Sequence, residues 1–547
     1  MNLRGRKKIF TDFEEVNKDN VIQILRDAIP THEQNRMDML FLLNYEKGEE
    51  PLVREKTART DIDIHAILNL ANYITEFKLG YVWSNPISIV QKSDKLPKDS
   101  DAAKANDAVA QLNDFYFSEE KDSKDQELAR FVEICGVGYQ MVDIKRDYEE
   151  GLSPFDLINL SPLYTFIVYS SDIRHDAMLG VTYTVDRLGQ KKQYTCVAKD
   201  AVYIINSQYE LNDNGKPKLD ANGEPIIVYD FAGGNAVEAN PIGEIYIGEC
   251  NRSFDRTGCF ERLVDDLDAL NVMASDLSND VSHTAQTIWL CNDIEFEKDE
   301  AGNVLAPVSG QWVLAKSNAN ANQKPDIRPL TVQYDYNGVL QNIESKHDLI
   351  LERAFVPRQS DPGGGSTGTA MSMSSGWAAA EASACKESLV LKKFFQWRNR
   401  MAIKAVQKAA QVDRTDIDDL SPNDVDVRFI RQKTFDMATK VNSLATMLNC
   451  MVDPKTAMAT VDLFSNLAEA IDDSIDNMKK YQEKLLGDSE KEEEETETKQ
   501  PQIEFDEDGN PIIVEDKEQS IVSNKTDTKK MMPDSSDQAQ NSPASDL

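Results

Sequence analysis

Apolar residues recur at helical spacing in four stretches, which frame the rest of the chain. Over 62–79, Ile64, Ile67, Leu68, Ala71, Ile74 and Phe77 share one side of a predicted helix that ends at Gly80. Over 257–286, a stripe of Phe260, Leu263, Val264, Leu267, Leu270, Ala274, Leu277 and Val281 stands against faces rich in Asp and Glu. A third helix is predicted over 336–354 on Val339, Leu340, Ile343, Ile350 and Leu351. The fourth is the longest. No proline interrupts the chain between Pro362 and Pro422, and a helix over 371–411 would run about 60 Å at about 1.5 Å per residue. Its stripe is Trp377, Ala380, Ala384, Leu391, Phe395, Ala402 and Ala409. The early turns are small residues that let another backbone come close, so this face is expected to exceed what one copy of the chain buries.

Between these stretches the period falls to two. Strands are predicted over 139–144, 155–160, 164–169, 179–185, 193–198 and 201–206, after helices over 102–117 and 125–134. Residues 81–90 read as extended, and 21–28 as a short amphipathic helix. Asn222-Gly223 before Pro225-Ile-Ile-Val228, and Asp508-Gly509 before Pro511-Ile-Ile-Val514, have the turn-then-β-branched order of a hairpin. Short strands are expected near 288–290, 294–296, 311–314, 329–332 and 425–430, and further helices over 437–449, 454–463 and 467–486. The class is α+β, with a mainly antiparallel sheet.

Charge changes the picture. The 547 residues carry 94 acidic against 60 basic side chains, a net charge of −34, and 40% are apolar. That share supports compact folding, and the length allows about two to four units. The acidic excess argues against a sequence-reading DNA binder, whose affinity rests on neutralising phosphates, but not against a protein that touches DNA without gripping it. One stretch inverts the sign: over 386–408 seven basic residues, Lys386, Lys392, Lys393, Arg398, Arg400, Lys404 and Lys408, accompany a single acid, Glu387. Arg4, Arg6, Lys7 and Lys8 read as a solvated tail. From residue 488, eighteen acids and six bases among many Ser, Gln and Asn predict disorder. The seven cysteines form no Cys-x-x-Cys pair and the five histidines stand singly, so no metal, disulfide framework or cofactor is expected. No run of about 18 uncharged apolar residues occurs, and the first residues lack an apolar signal core. Synthesis in the cytoplasm without a membrane span is expected.

Gly363-Gly-Gly-Ser-Thr-Gly-Thr369 invites a phosphate-loop reading, but Gly368 is followed by Thr369 and Ala370 rather than Lys and Ser or Thr. The same glycines fit a nucleophile elbow, yet the last histidine is His347, upstream of them. Ser383-Ala-Cys-Lys386 matches Ser-x-x-Lys inside the long helix without companion motifs. No catalytic site is assigned.

In the order of its elements the chain resembles the portal proteins of tailed bacteriophages, of the long-tailed siphophage type. Leu70 to Ile87, the helix following Phe254, and the run from Phe355 to Ser372 carry the resemblance, which extends over about residues 40–485. It implies an α+β protomer with an N-terminal segment and α/β wing (1–253), a first stem helix (254–287), a small β-containing clip (288–335) and a second stem helix (336–357). A tunnel loop (358–371), a long tunnel helix returning to the wing (372–435), a helical crown (436–487) and a disordered acidic tail (488–547) complete it. The family role implied is structural, not enzymatic: a ring of about twelve copies at one capsid vertex of the virion, through which double-stranded DNA is packaged and ejected. The implied partners are other copies of itself, the DNA, the terminase large subunit, the head-tail adaptor, and the major capsid and scaffolding proteins. On this carry-over Pro362, Gly363, Gly364, Gly365, Ser366, Thr367 and Gly368 face the DNA, and Lys386, Lys392 and Lys393 line the channel or a subunit contact. The residues alone leave open a virion assembly or scaffold protein without a DNA channel.

Overall fold

The computed structural model describes residues 5–51, 63–91, 100–149, 151–187, 191–210, 225–234, 236–285, 336–358, 376–409, 420–429 and 437–450, with short pieces between and beyond them. The chain forms two units, Met1–Ile471 and Asp472–Leu547. In the first, the order begins β1 (Ile9–Thr11), α1 (Val21–Glu46), α2 (Leu70–Val82), β2 (Ser88–Gln91), α3 (Ser100–Ser118) and α4 (Lys121–Cys135). Then come β3 (Val137–Ile144), β4 (Phe155–Leu160), β5 (Thr165–Ser170), β6 (Ala177–Val185), β7 (Lys191–Val197), β8 (Ala201–Tyr209), β9 (Ile227–Phe231), β10 (Val237–Ala239) and β11 (Ile247–Asn251). A short 3-10 turn leads into α5 (Val264–Ala285), followed by β12 (Trp289–Asn292), β13 (Ile294–Glu295), β14 (Lys316–Ser317), β15 (Asp326–Pro329) and α6 (Tyr336–Arg353). The long helix is α7 (Trp377–Lys408), and β16 (Val425–Arg428) and α8 (Met437–Asn449) follow it.

Alternation builds a seven-stranded sheet in the order β1-β5-β6-β7-β8-β10, with β9 also on β8. Its pairs are antiparallel except β1 with β5. Ile24, Leu25 and Ala28 of α1 cover its apolar face, over Phe166, Val181 and Ile205. A second sheet, β11-β3-β4, and the β16–β2 pair lie under α7. Met401, Ala402 and Ala405 pack on Val142, Leu157 and Ile247, while Leu391 and Phe395 meet Trp83, Ile87 and Val427. A further core ties Leu42 and Tyr45 of α1 and Ile74 of α2 to Phe260, Leu267, Leu270, Ile350 and Leu351, so the α5–α6 pair is rooted in the body.

Four expectations are corrected. The face of α7 is buried by its own chain: Ala380, Ala384, Leu391, Phe395, Ala402 and Ala409 are all at most 2% exposed. A close approach does occur further along, where Gly248 of β11 makes room for a bulky residue of α7: a Cβ there would fall 2.0 Å from the Trp397 ring. Second, α1 continues to Glu46 through Pro30, because Leu25, Ala28, Met39, Leu42 and Tyr45 form one buried stripe across it, and that burial outweighs a proline cost of about 3 kcal/mol. Third, Arg6 is buried rather than solvated: its guanidinium meets Glu261 Oε1 at 2.7 Å, and the same oxygen accepts from the Gly5 N–H at 2.8 Å.

The fourth concerns 62–79. The helix starts only at Leu70, after Asn69 turns left-handed (φ 43°) and accepts from the Asn72 N–H. Residues 63–69 instead form an extended strap along α5. The N–H groups of Leu68, Ala66 and Ile64 donate in turn to Asn271 Oδ1, Ser275 Oγ and Asn279 Oδ1, at 3.0, 2.9 and 2.9 Å. Four helical residues rise about 6 Å and two extended residues span about 6.6 Å, so alternate strap amides match successive turns of the helix.

In the second unit, β17 (Ile503–Phe505) and β18 (Pro511–Ile513) pair antiparallel, a hairpin inside the segment expected to be disordered. The helices expected over 467–486 lie outside the described residues, as does most of 454–463.

Candidate functional site

The candidate site lies where the chain leaves α6 and enters α7. After α6, Phe355 adopts a left-handed backbone (φ 56°), and Arg358 folds back onto Glu352 at 2.6 Å and Asp348 at 3.7 Å. The chain is described again from Gly376 (φ 83°), which caps α7. These two ends meet: a Cβ built on Gly376 would lie 3.7 Å from the Pro357 Cα. Residues 359–375 therefore leave and return at one place. Pro362, Gly363, Gly364, Gly365, Ser366, Thr367 and Gly368 all lie outside the described residues.

Beneath this site sits a buried charge node contributed by four elements. Glu133 of α4 accepts from Arg252 Nε at 2.9 Å and from the Trp83 indole N–H at 3.1 Å. Arg252, just past β11, also reaches Glu387 of α7 at 3.4 Å, and Lys78 of α2 lies within the same node. Burial pushes the Glu133 carboxyl up, but Arg252 and the bonds it receives hold it below the usual carboxylate range. Burial and the Glu133 charge push Glu387 well above that range. Burial and the Arg252 charge lower Lys78.

The basic stretch of α7 is largely spent within the chain. Lys392 pairs with Asp426 at 2.6 Å, Arg400 and Lys404 pair with Glu244, and Arg398 is wholly buried against Asp125 with its guanidinium 4.5 Å from the Phe395 ring. Lys386, Lys393 and Lys408 are exposed. Of the three lysines singled out from sequence, two therefore face solvent and one, Lys392, is tied to β16. Sequence reading missed Lys78, Glu133, Arg252 and Glu387. The available signal was a charge on an apolar stripe: Glu387 falls between Ala384 and Leu391, and Lys78 between Ile74 and Val82.

The chain matches the family described as "Phage portal protein, SPP1 Gp6-like" over residues 25–495, and so belongs to that family of phage portal proteins. It is a portal protein of the virion, in a family whose role is structural. A search of curated proteins found no match. Among solved structures, a chain from the "Virion of native gene transfer agent (GTA) particle" is similar at 10% identity and a TM-score of 0.39, over 78% of this chain and 94% of that one. A likeness at that level carries no argument. Among the described residues no helix is long and apolar enough to cross a membrane.

Proposed function

We infer that copies of this chain close into a ring at one capsid vertex and pass double-stranded DNA through its centre during packaging and ejection. In that arrangement α5 and α6 are the stem helices, the strands between them form the clip that meets the terminase large subunit and the head-tail adaptor, 358–371 is the tunnel loop, and α7 is the tunnel helix behind it. The sheets with α1 to α4 and β16 form the wing, and α8 begins the crown. The observation that supports this reading is that Pro357 and Gly376, on either side of the glycine-rich segment, lie side by side at the end of α6.

The chemistry suits a conduit. Pro362 to Gly368 offers little side-chain volume and wide backbone freedom, which stabilises no particular contact and lets the segment follow a passing groove. A net charge of −34 keeps phosphates from sticking, and strong Lys or Arg contacts would stall sliding. The test is to shorten Gly363–Gly368 or to replace its glycines by alanine, and to compare ring yield with packaged genome length. Normal rings with shortened or absent genomes are expected. Normal packaging would return the segment to a surface connector and favour an assembly protein without a DNA channel.

A further inference from the structure

Both ends of the 359–375 segment rest on one helix. Upstream, the Phe355 ring lies 5.9 Å from the Lys78 ammonium. A bulky residue seldom accepts a left-handed backbone, so this turn is held by its surroundings. Downstream, the Trp377 indole packs on the rings of Phe77 and Tyr81 at centroid distances of 6.2 and 5.7 Å. One turn further along α7, Glu381 accepts from the Tyr81 hydroxyl at 2.7 Å. Phe77, Lys78 and Tyr81 occupy adjacent turns of α2, and the two rings stack on each other at 5.5 Å with 13° between their planes. Lys78 is only 2% exposed, and its ammonium lies 5.9 Å from both the Phe355 and Phe77 rings, with Glu133, Arg252, Cys259 and Glu387 within electrostatic reach.

We propose that Lys78 and Tyr81 are positioning residues that hold the outgoing and returning ends of the 359–375 segment together through α2, so that a displacement of one end moves the other. The proposal rests on the reading of this segment as the tunnel loop. Besides the direct approach of Gly376 to Pro357, both ends rest on α2, which serves as a mechanical link stiffened by its own ring stack.

Hydrogen exchange followed by mass spectrometry on the full-length assembled protein, without DNA, tests the link. Tyr81→Phe keeps the ring and removes the hydroxyl's bond to Glu381. Lys78→Met keeps the side-chain length and removes the charge. Each change is expected to quicken exchange about tenfold at the end it touches, as loss of one charge-assisted hydrogen bond or cation–π contact implies, and also to raise exchange at the end it does not touch. The informative readouts are 354–358 for Tyr81→Phe and 377–381 for Lys78→Met, with β5 to β8 unchanged. Acceleration confined to the touched end would show two separate local contacts and overturn the proposal. So would acceleration spread evenly over β5 to β8, which marks general loosening. Because no DNA is present, this outcome is independent of whether shortening Gly363–Gly368 affects packaging.

Discussion

The two long helices, α7 and α5, take polar groups into the protein by opposite means. α7 carries titratable groups inward: Glu387 and Arg398 are 5% and 0% exposed, each against a charged partner. α5 carries neutral groups inward: Asn271, Ser275 and Asn279 are 3%, 0% and 1% exposed, and they satisfy the backbone of the strap. The strap in turn leaves Ile64, Ile67 and Leu68 open, at 40%, 38% and 46%. An ionic node fails as a unit, because removing one charge strands another in low dielectric. A neutral ladder loses one rung at a time.

The comparison breaks most sharply at Arg252. Arg252→Met leaves Glu133 and Glu387 buried with only Lys78 to offset them, and is expected to cost about 3–5 kcal/mol in urea unfolding. Glu387→Gln, at the same node, keeps the side-chain shape and relieves its repulsion with Glu133, and should cost under about 1 kcal/mol. Equal losses from the two would mean that Glu387 is ionised and the node is a simple pair of salt bridges.

On the α5 side, Asn271→Ala removes the acceptor for Leu68 N–H and the donor to Glu50, and should cost about 2 kcal/mol. Ser275→Ala removes one rung and should cost about 1 kcal/mol. Faster exchange confined to 64–68 would accompany both. If either variant loosened α7 as well, the helices would not be independent.

A further comparison is the dependence on pH. Burial and the neighbouring Asp268 charge push the Glu50 carboxyl up to about 7 from its usual 4.5. The folded chain therefore prefers the protonated acid: this contribution is complete below pH 4.5 and is lost as pH rises to about 7. Glu50→Gln mimics the protonated form, so its melting temperature should gain on the parent between pH 5 and pH 8. A constant difference across that range would remove Glu50 from the account.

Helices and meander strands were legible where periodicity and burial agree, as along α7 and from β3 to β8. The strap was not. Ile64, Ile67 and Leu68 have helical spacing, and only a partner about two hundred residues away, with amides on successive turns, holds them extended. β1 and β11 were missed because runs of three and five residues carry too little alternation to stand out. α1 was cut short because Pro30 is a strong local signal, and the stripe beyond it outweighs that signal only once α2, α5 and α6 are packed against it. At the site, the glycine-rich segment stood out by composition. The residues that hold its ends, Lys78, Phe77, Tyr81, Phe355 and Trp377, look like ordinary helix and turn positions until the fold brings them together.

The stripe of α7 that suggested a ring is covered from within. Exposed apolar side chains open to another copy include Ile64, Ile67 and Leu68 of the strap, Val281, Leu340 and Leu349 of the α5–α6 pair, and Leu389 of α7. Native mass spectrometry of the purified full-length chain at micromolar concentration tests the claim of a ring most directly. The account predicts a closed assembly of about twelve copies. Monomers and dimers alone would contradict it.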